Sequence, residues 1–263
     1  GADAITVSAY HDTGIGKLHS ASNIPHEPNT LLPAGAAIKA VVGIPVICSG
    51  RVEPGHGDAE IRAGRLDFLG MGRKLLADPE LPNKLAAGKA EQVRPCIYCY
   101  TCVSAIYTLE STRCAVNAEC GIEYLRLDAP KPAARRRVVV VGGGPGGMES
   151  ARRLARDGHE VILIEKGDRL GGTLRFASLA YAPNERLLDW LRLQVEQAKI
   201  EVRLNTVATS DLLTSLKPDD VIVATGALRN MPPIPGGDLA YVFSGDDMRK
   251  MMLGESSDAL QQK

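Results

Sequence analysis

Along the first ninety-odd residues, short apolar runs rich in β-branched residues alternate with amphipathic stretches. "DAITVSA" reads as a strand, "PAGAAIKAVV" as a helix opened by Pro33, and "IPVICSG" as a second strand. "GHGDAEIRAG" is a helix stopped at Gly64, "LDFLGMG" a third strand and "PELPNKLAAGK" a short helix. The alternation predicts a parallel sheet or barrel, although three units are too few to close an eight-stranded barrel of ~250 residues. A second alternation begins at "RVVVVG". It continues through a helix from Pro145 to Asp157, the strand "HEVILIE", a helix around "NERLLDWLRLQVEQAK", and the strands "IEVRLN" and "DVIVATG". The fold class expected is α/β. Two segments break the pattern: a cysteine-rich connector, Arg94 to Tyr124, and a Pro-, Ala- and Arg-rich linker, Ala129 to Arg137.

Composition changes this picture little. The chain has 263 residues, 44% hydrophobic and 24% charged, enough for two modest cores. A formal net charge of +0 offers nothing for nucleic acid or anionic membranes, so neither partner is expected. No apolar run approaches the roughly twenty residues of a membrane span, and no signal-peptide pattern opens the chain. A soluble, cytoplasmic protein is the expectation. Both ends read as cut from a longer polypeptide, because a core strand begins at Ile5 and the end breaks off after a helical pattern.

The second alternation carries Gly142-x-Gly144-x-x-Gly147 directly after a strand, and Glu165 ends the next strand. Gly142 permits a tight turn, Gly144 lets the backbone approach a pyrophosphate, and Gly147 permits close helix–strand packing. Glu165 is placed to accept hydrogen bonds from ribose hydroxyls, where a phosphate-bearing ribose would be repelled. "EKGDRLGGTL", with Lys166, Gly172 and Thr173, and "VIVATGA", with Ala224, Thr225 and Gly226, resemble the FAD-binding pattern of pyridine-nucleotide–disulfide-reductase-like flavoproteins. That resemblance implies FAD, or an ADP moiety in its place, rather than NAD(P).

The connector spaces its cysteines Cys96-x2-Cys99-x2-Cys102-x11-Cys114, with no histidine among them. Structural zinc sites usually use two separated CxxC pairs or a Cys/His mixture. Three ligands in one tight loop and a fourth arriving alone suit a 4Fe-4S cluster. Zinc is the alternative, and disulfides are disfavoured in a reducing setting. Ile97, Tyr98, Tyr100 and Val103 are expected to exclude water from such a site. Cys48, in the apolar strand, reads as a core residue. Cys120 is a competing ligand or a bystander.

"IPVICSGRVEPGHGDAEIRAGRLDFLGMGRKLLADPELPNKLAAGK" resembles the last two strands of the Old Yellow Enzyme-like flavin barrel. Loops after strands seven and eight of a (β/α)8 barrel commonly form a phosphate site. By resemblance, Gly50, Arg51, Gly72 and Arg73 hold the FMN phosphate. A flavin barrel, four cysteines and a Gly-rich FAD domain, in that order, resemble one subfamily of NADH:flavin oxidoreductases. It is the group of 2,4-dienoyl-CoA reductase and trimethylamine dehydrogenase. The resemblance divides the chain into 1–93, barrel strands six to eight; 94–128, the 4Fe-4S segment; and 129–263, an incomplete Rossmann-like FAD domain. Tyr98 and Tyr100 stand where the family usually has Gly and Asn.

The family's electron path runs from NAD(P)H to FAD, 4Fe-4S and FMN, and there reduces an activated alkene such as an enoyl or dienoyl thioester. A small-molecule substrate is therefore the partner expected, and a homo-oligomer is compatible with the sequence. The dienoyl reductases place a catalytic histidine shortly after a GIG turn. Here Gly14-Ile15-Gly16 is followed by His19, offset by one residue and a candidate acid at FMN. Tyr10 and His11 are candidate pocket residues. The alternative activity is dehydrogenation of an amine, against which Ala9 stands where those enzymes have Asp. A non-catalytic electron relay is a third reading, and the 263 residues are not expected to turn over alone.

Overall fold

The computed structural model describes residues 1–8, 28–127, 134–227, 233–239 and 241–255. They fall into two compact units, Gly1–Arg126 and Leu127–Lys263.

In the first unit, strands β1 (Ile5–Val7), β2 (Val46–Ser49) and β3 (Phe68–Gly70) form a parallel sheet in the order β1-β2-β3. Ile5 lies opposite Val46, and Ile47 opposite Phe68. Each strand neighbours the next in sequence, with α1 (Leu32–Lys39) and α2 (Pro54–Arg62) as connections. Val7, Leu32, Val46, Cys48, Val52 and Leu66 close the core, so Cys48 is the buried apolar residue its strand pattern implied. Asp67 ties α1 to β2. Its carboxylate accepts from Val46 N–H at 2.7 Å and pairs with Lys39 at 2.8 Å.

The third strand is shorter than "LDFLGMG" implied. Gly72 already begins α3 (Gly72–Ala77), because Arg73-Lys74-Leu75-Leu76-Ala77 is a run of strong helix formers. A second helix, α4 (Leu81–Ala86), follows, and the cysteine-rich segment then packs back on this pair. Buried polar groups make the join. Asp78 Oδ2 accepts from Arg94 N–H at 2.7 Å and from Lys84 Nζ at 2.6 Å. Arg94 Nη1 donates to Asn117 Oδ1 at 2.8 Å, and Asn117 Nδ2 donates to the Leu76 carbonyl at 2.9 Å. The segment is not all loop: it contains α5 (Thr101–Tyr107) and ends in α6 (Tyr124–Leu127).

The second unit is built on a parallel four-stranded sheet. Its strands are β4 (Arg137–Val141), β5 (Glu160–Ile164), β6 (Glu201–Arg203) and β7 (Asp220–Val223), in the order β6-β5-β4-β7. Val138, Val139 and Val140 of β4 are buried on both faces, as a central parallel strand requires. Helices α7 (Pro145–Arg156) and α9 (Ala182–Gln197) pack together, with α7 lying on β4 and β5. Below the sheet, α10 (Ser210–Leu216) covers Val139, Ile162 and Ile164. Short α8 (Thr173–Ser178) leads into α9, and α11 (Gly245–Leu253) is fixed by a capping box between Ser244 and Asp247. The strand order reverses between β4 and β7, and such a switch point opens a ligand crevice at the carboxyl ends of the strands. Among the described residues no helix is long and apolar enough to cross a membrane.

Candidate functional site

The four cysteines of the 3+1 pattern converge. Cys96, Cys99, Cys102 and Cys114 line one pocket of the first unit together with Arg73. Ile97, Tyr98 and Tyr100 contribute walls as expected. The remaining apolar cover comes from Ala115 and Val116, whereas Val103 is not among the lining residues. Cys102 is carried by the first turn of α5 rather than by a loop. Tyr98 N–H points at Cys96 Sγ at 3.4 Å, and Thr101 Oγ1 lies 3.4 Å from Cys99 Sγ. Burial pushes the Cys96 thiol above its ordinary range, offset in part by Tyr98 N–H and the charges of Lys74 and Arg73. Cys102 is raised by burial and then by the neighbouring Cys114 and Cys99. Cys120 is buried and is pushed up to about 11, mainly by burial, and it does not line the pocket.

The donor set is sulfur-rich: four cysteines line one pocket with no histidine among the lining residues, a set that suits an iron-sulfur cluster or a zinc ion.

The two arginines expected at a phosphate site lie against the same loop. Gly50 (φ 95°) and Arg51 (φ 54°) make a left-handed turn after β2, which buries the Arg51 side chain. Arg51 Nη2 donates to Tyr100 Oη at 2.7 Å. The Arg51 guanidinium carbon lies 4.9 Å from the Tyr98 ring centre and 5.6 Å from that of Tyr100. For Arg73 the corresponding distances are 5.6 and 5.1 Å. Both arginines make further contacts. Glu53 sits behind this group, accepting from Tyr98 Oη at 3.1 Å and from Lys74 Nζ at 2.9 Å.

Tyr98 and Tyr100 have φ of 51° and 64°. A left-handed backbone costs a residue with Cβ roughly 1–2 kcal/mol, which is the physical reason for Gly and Asn at such positions. His19, Tyr10 and His11 lie outside the described residues.

In the second unit the fingerprint assembles at the switch point. Gly142 (φ 110°) turns the chain after β4, where any Cβ would collide with the Ala224 carbonyl of the Ala224-Thr225-Gly226 turn. Gly147 packs α7 so tightly that a Cβ would overlap the Gly142 carbonyl oxygen. At Gly144 a Cβ would meet nothing within 4 Å, leaving the helix start open for a ligand.

Glu165 also organises the glycine loop. Gly143 N–H donates to Oε2 at 2.6 Å and Gly167 N–H to Oε1 at 2.8 Å. Each carboxylate oxygen retains a lone pair for a ribose hydroxyl. Gly171 N–H donates to the Gly143 carbonyl at 2.8 Å, bringing Gly172 against Gly144, and Thr173 starts α8 beside them. Lys166 and Thr173 are exposed at the rim.

Three contributors went unnoticed in the sequence. Arg192 of α9 holds the Leu170 carbonyl at 2.6 Å and so fixes the second glycine loop. Asn117 and Glu53 buttress the cysteine and arginine groups. Each acts across 22 to 45 residues, and no local motif announces it.

Residues 136–258 match the pyridine nucleotide-disulphide oxidoreductase family. The chain is 41% identical over 210 residues to bilirubin reductase of Mediterraneibacter gnavus (strain CC55_001C), covering 78% of this chain and 33% of that protein. It is 36% identical over 248 residues to NADH oxidase of Thermoanaerobacter brockii, covering 88% of this chain and 38% of the relative. The solved structure of a 2-naphthoyl-CoA reductase complex with 2-naphthoyl-CoA superposes with a TM-score of 0.80 at 30% identity, over 86% of this chain and 35% of that one. The chain thus spans about a third of the length of the relatives it matches.

Proposed function

The chain being a homologue of the Old Yellow Enzyme-type flavin oxidoreductases of the 2,4-dienoyl-CoA reductase and trimethylamine dehydrogenase-like kind, we propose that it carries the electron-relay core of an NAD(P)H-dependent reductase. The observation that carries this reading is the pocket shared by Cys96, Cys99, Cys102, Cys114 and Arg73. When bound, a 4Fe-4S cluster would supply one-electron transfer within a path from NAD(P)H to an activated alkene such as an enoyl or dienoyl thioester.

The residues divide the work. The four cysteines bind the irons, and N–H and O–H groups of Tyr98 and Thr101 at 3.4 Å from sulfur stabilise thiolate charge. Ile97, Val116 and the two tyrosine rings supply apolar walls, while Cys99 stays exposed to solvent. Arg51, in the turn after β2, and Arg73, in the first turn of α3, would neutralise the FMN phosphate, and the parallel sheet that carries them is consistent with the last three strands of a flavin barrel. In the second unit Gly142, Gly144 and Gly147 admit the pyrophosphate of FAD, and Glu165 holds the loop while accepting from the ribose. His19, outside the described residues, is the candidate acid at FMN by resemblance alone.

Iron and acid-labile sulfide in protein purified without oxygen test the reading. About four of each per chain are expected, with broad visible absorbance bleached by dithionite. Alanine at Cys96, Cys99, Cys102 or Cys114 should abolish that absorbance, and alanine at Cys48 or Cys120 should not. One zinc and no sulfide would overturn the proposal.

A further inference from the structure

The tyrosines flanking Cys99 are not needed to bind iron, and their backbone conformation disfavours them, yet their rings are shared between two arginines. Arg51 and Arg73 each lie within 5.6 Å of both ring centres, and Lys74 Nζ lies 5.3 Å from that of Tyr98. The contacts span about 25 to 50 residues of sequence, so they form only when the cysteine loop is folded against the turn after β2 and the start of α3. A guanidinium over an aromatic face is held in a fixed plane without giving up its N–H groups, which stay available in that plane. Hydroxyl contacts reinforce the arrangement: Tyr100 Oη accepts from Arg51, and Tyr98 Oη donates to Glu53, which also holds Lys74.

We propose that Tyr98 and Tyr100 are positioning residues for a phosphate monoester, fixing the guanidinium planes of Arg51 and Arg73 and thereby coupling that anion site to the cysteine pocket. The inference rests on the reading of the arginines as the FMN phosphate site. It adds that this phosphate site is completed by the cysteine loop rather than by the strand ends alone. By linkage, loss of the rings weakens phosphate binding, and phosphate binding steadies the loop that carries Cys96 and Cys99.

The test uses the intact protein, purified without oxygen, stripped of flavin and titrated separately with FMN and riboflavin. Their affinity ratio isolates the phosphate. Tyr98→Gly/Tyr100→Asn suits the left-handed backbone and should leave iron and sulfide unchanged while lowering the ratio about tenfold. Tyr98→Phe/Tyr100→Phe keeps both rings and should stay within about twofold of wild type. If the first variant fails to fold, Tyr100→Asn alone should still lower the ratio about threefold. A wild-type ratio well above one that persists in the Gly/Asn variant would sink the coupling while leaving the phosphate site standing. A ratio that falls equally in the Phe variant also excludes the rings as the agents. A wild-type ratio of one would instead remove the phosphate reading, and the inference with it.

Discussion

The carboxylate of Glu165 lies within 2.6 Å of the Gly143 amide, so the acidic residue of the dinucleotide fingerprint is a structural member of its glycine loop. Glu165→Ala leaves that amide and the Gly167 amide without their acceptor. Such a loss costs about 1–3 kcal/mol. The expected outcome is a lower unfolding midpoint together with at least a tenfold loss of FAD or ADP affinity by calorimetry. Glu165→Gln offers one carbonyl for two donors and should fall between.

Gly144 and Gly147 should separate binding from stability. A methyl at Gly147 meets the Gly142 carbonyl, so Gly147→Ala is expected to lower stability by about 1–3 kcal/mol, whatever helix propensity it gains. A methyl at Gly144 meets nothing in the protein, and its backbone is ordinary extended chain at φ −75°. Gly144→Ala should therefore unfold like wild type in urea, yet lose dinucleotide binding because the methyl occupies the pyrophosphate approach.

Asn117 bridges Arg94 Nη1 and the Leu76 carbonyl from a buried position. Asn117→Ala strands both groups and should destabilise the first unit by about 2 kcal/mol. Because the join holds the cysteine segment to α3, iron should also leave faster to a chelator. An unchanged rate of iron loss would show that the segment needs no such anchor.

Asp67 gives the first unit an acid dependence. The Lys39 hydrogen bond, followed by the Val46 amide, holds its carboxyl below the usual range. The folded state thus favours the ionised form. This stabilisation is complete above the unfolded value of about 3.9 and is lost as pH falls through the lower folded value. Asp67→Asn should lose less stability than wild type between about pH 5 and pH 2.5 in urea titrations followed by circular dichroism.

Much of the architecture was legible from local pattern. Two separate α/β alternations became two parallel sheets, and the strand expected at "RVVVVG" proved central, its Val138 to Val140 buried as β-branched residues without alternation allow. The turn at Gly142 and the close packing at Gly147 follow from a few consecutive residues, which is why the glycine spacing pointed to them. The helix at Gly72 was less legible, because the short apolar run "LDFLGMG" does not by itself show where strand gives way to helix.

By itself, then, the chain's order of residues determined its periodic elements, the cysteine spacing and the turn chemistry, all effects that act within one or two turns of backbone. Tertiary structure alone decided what those pieces meet. Strand order set the Ala224 turn over Gly142, eighty-two residues away. It also gave Glu165 the loop amides as partners and placed two strained tyrosines between two arginines. Such contacts depend on which distant surfaces packing brings together, and local pattern carries no record of them.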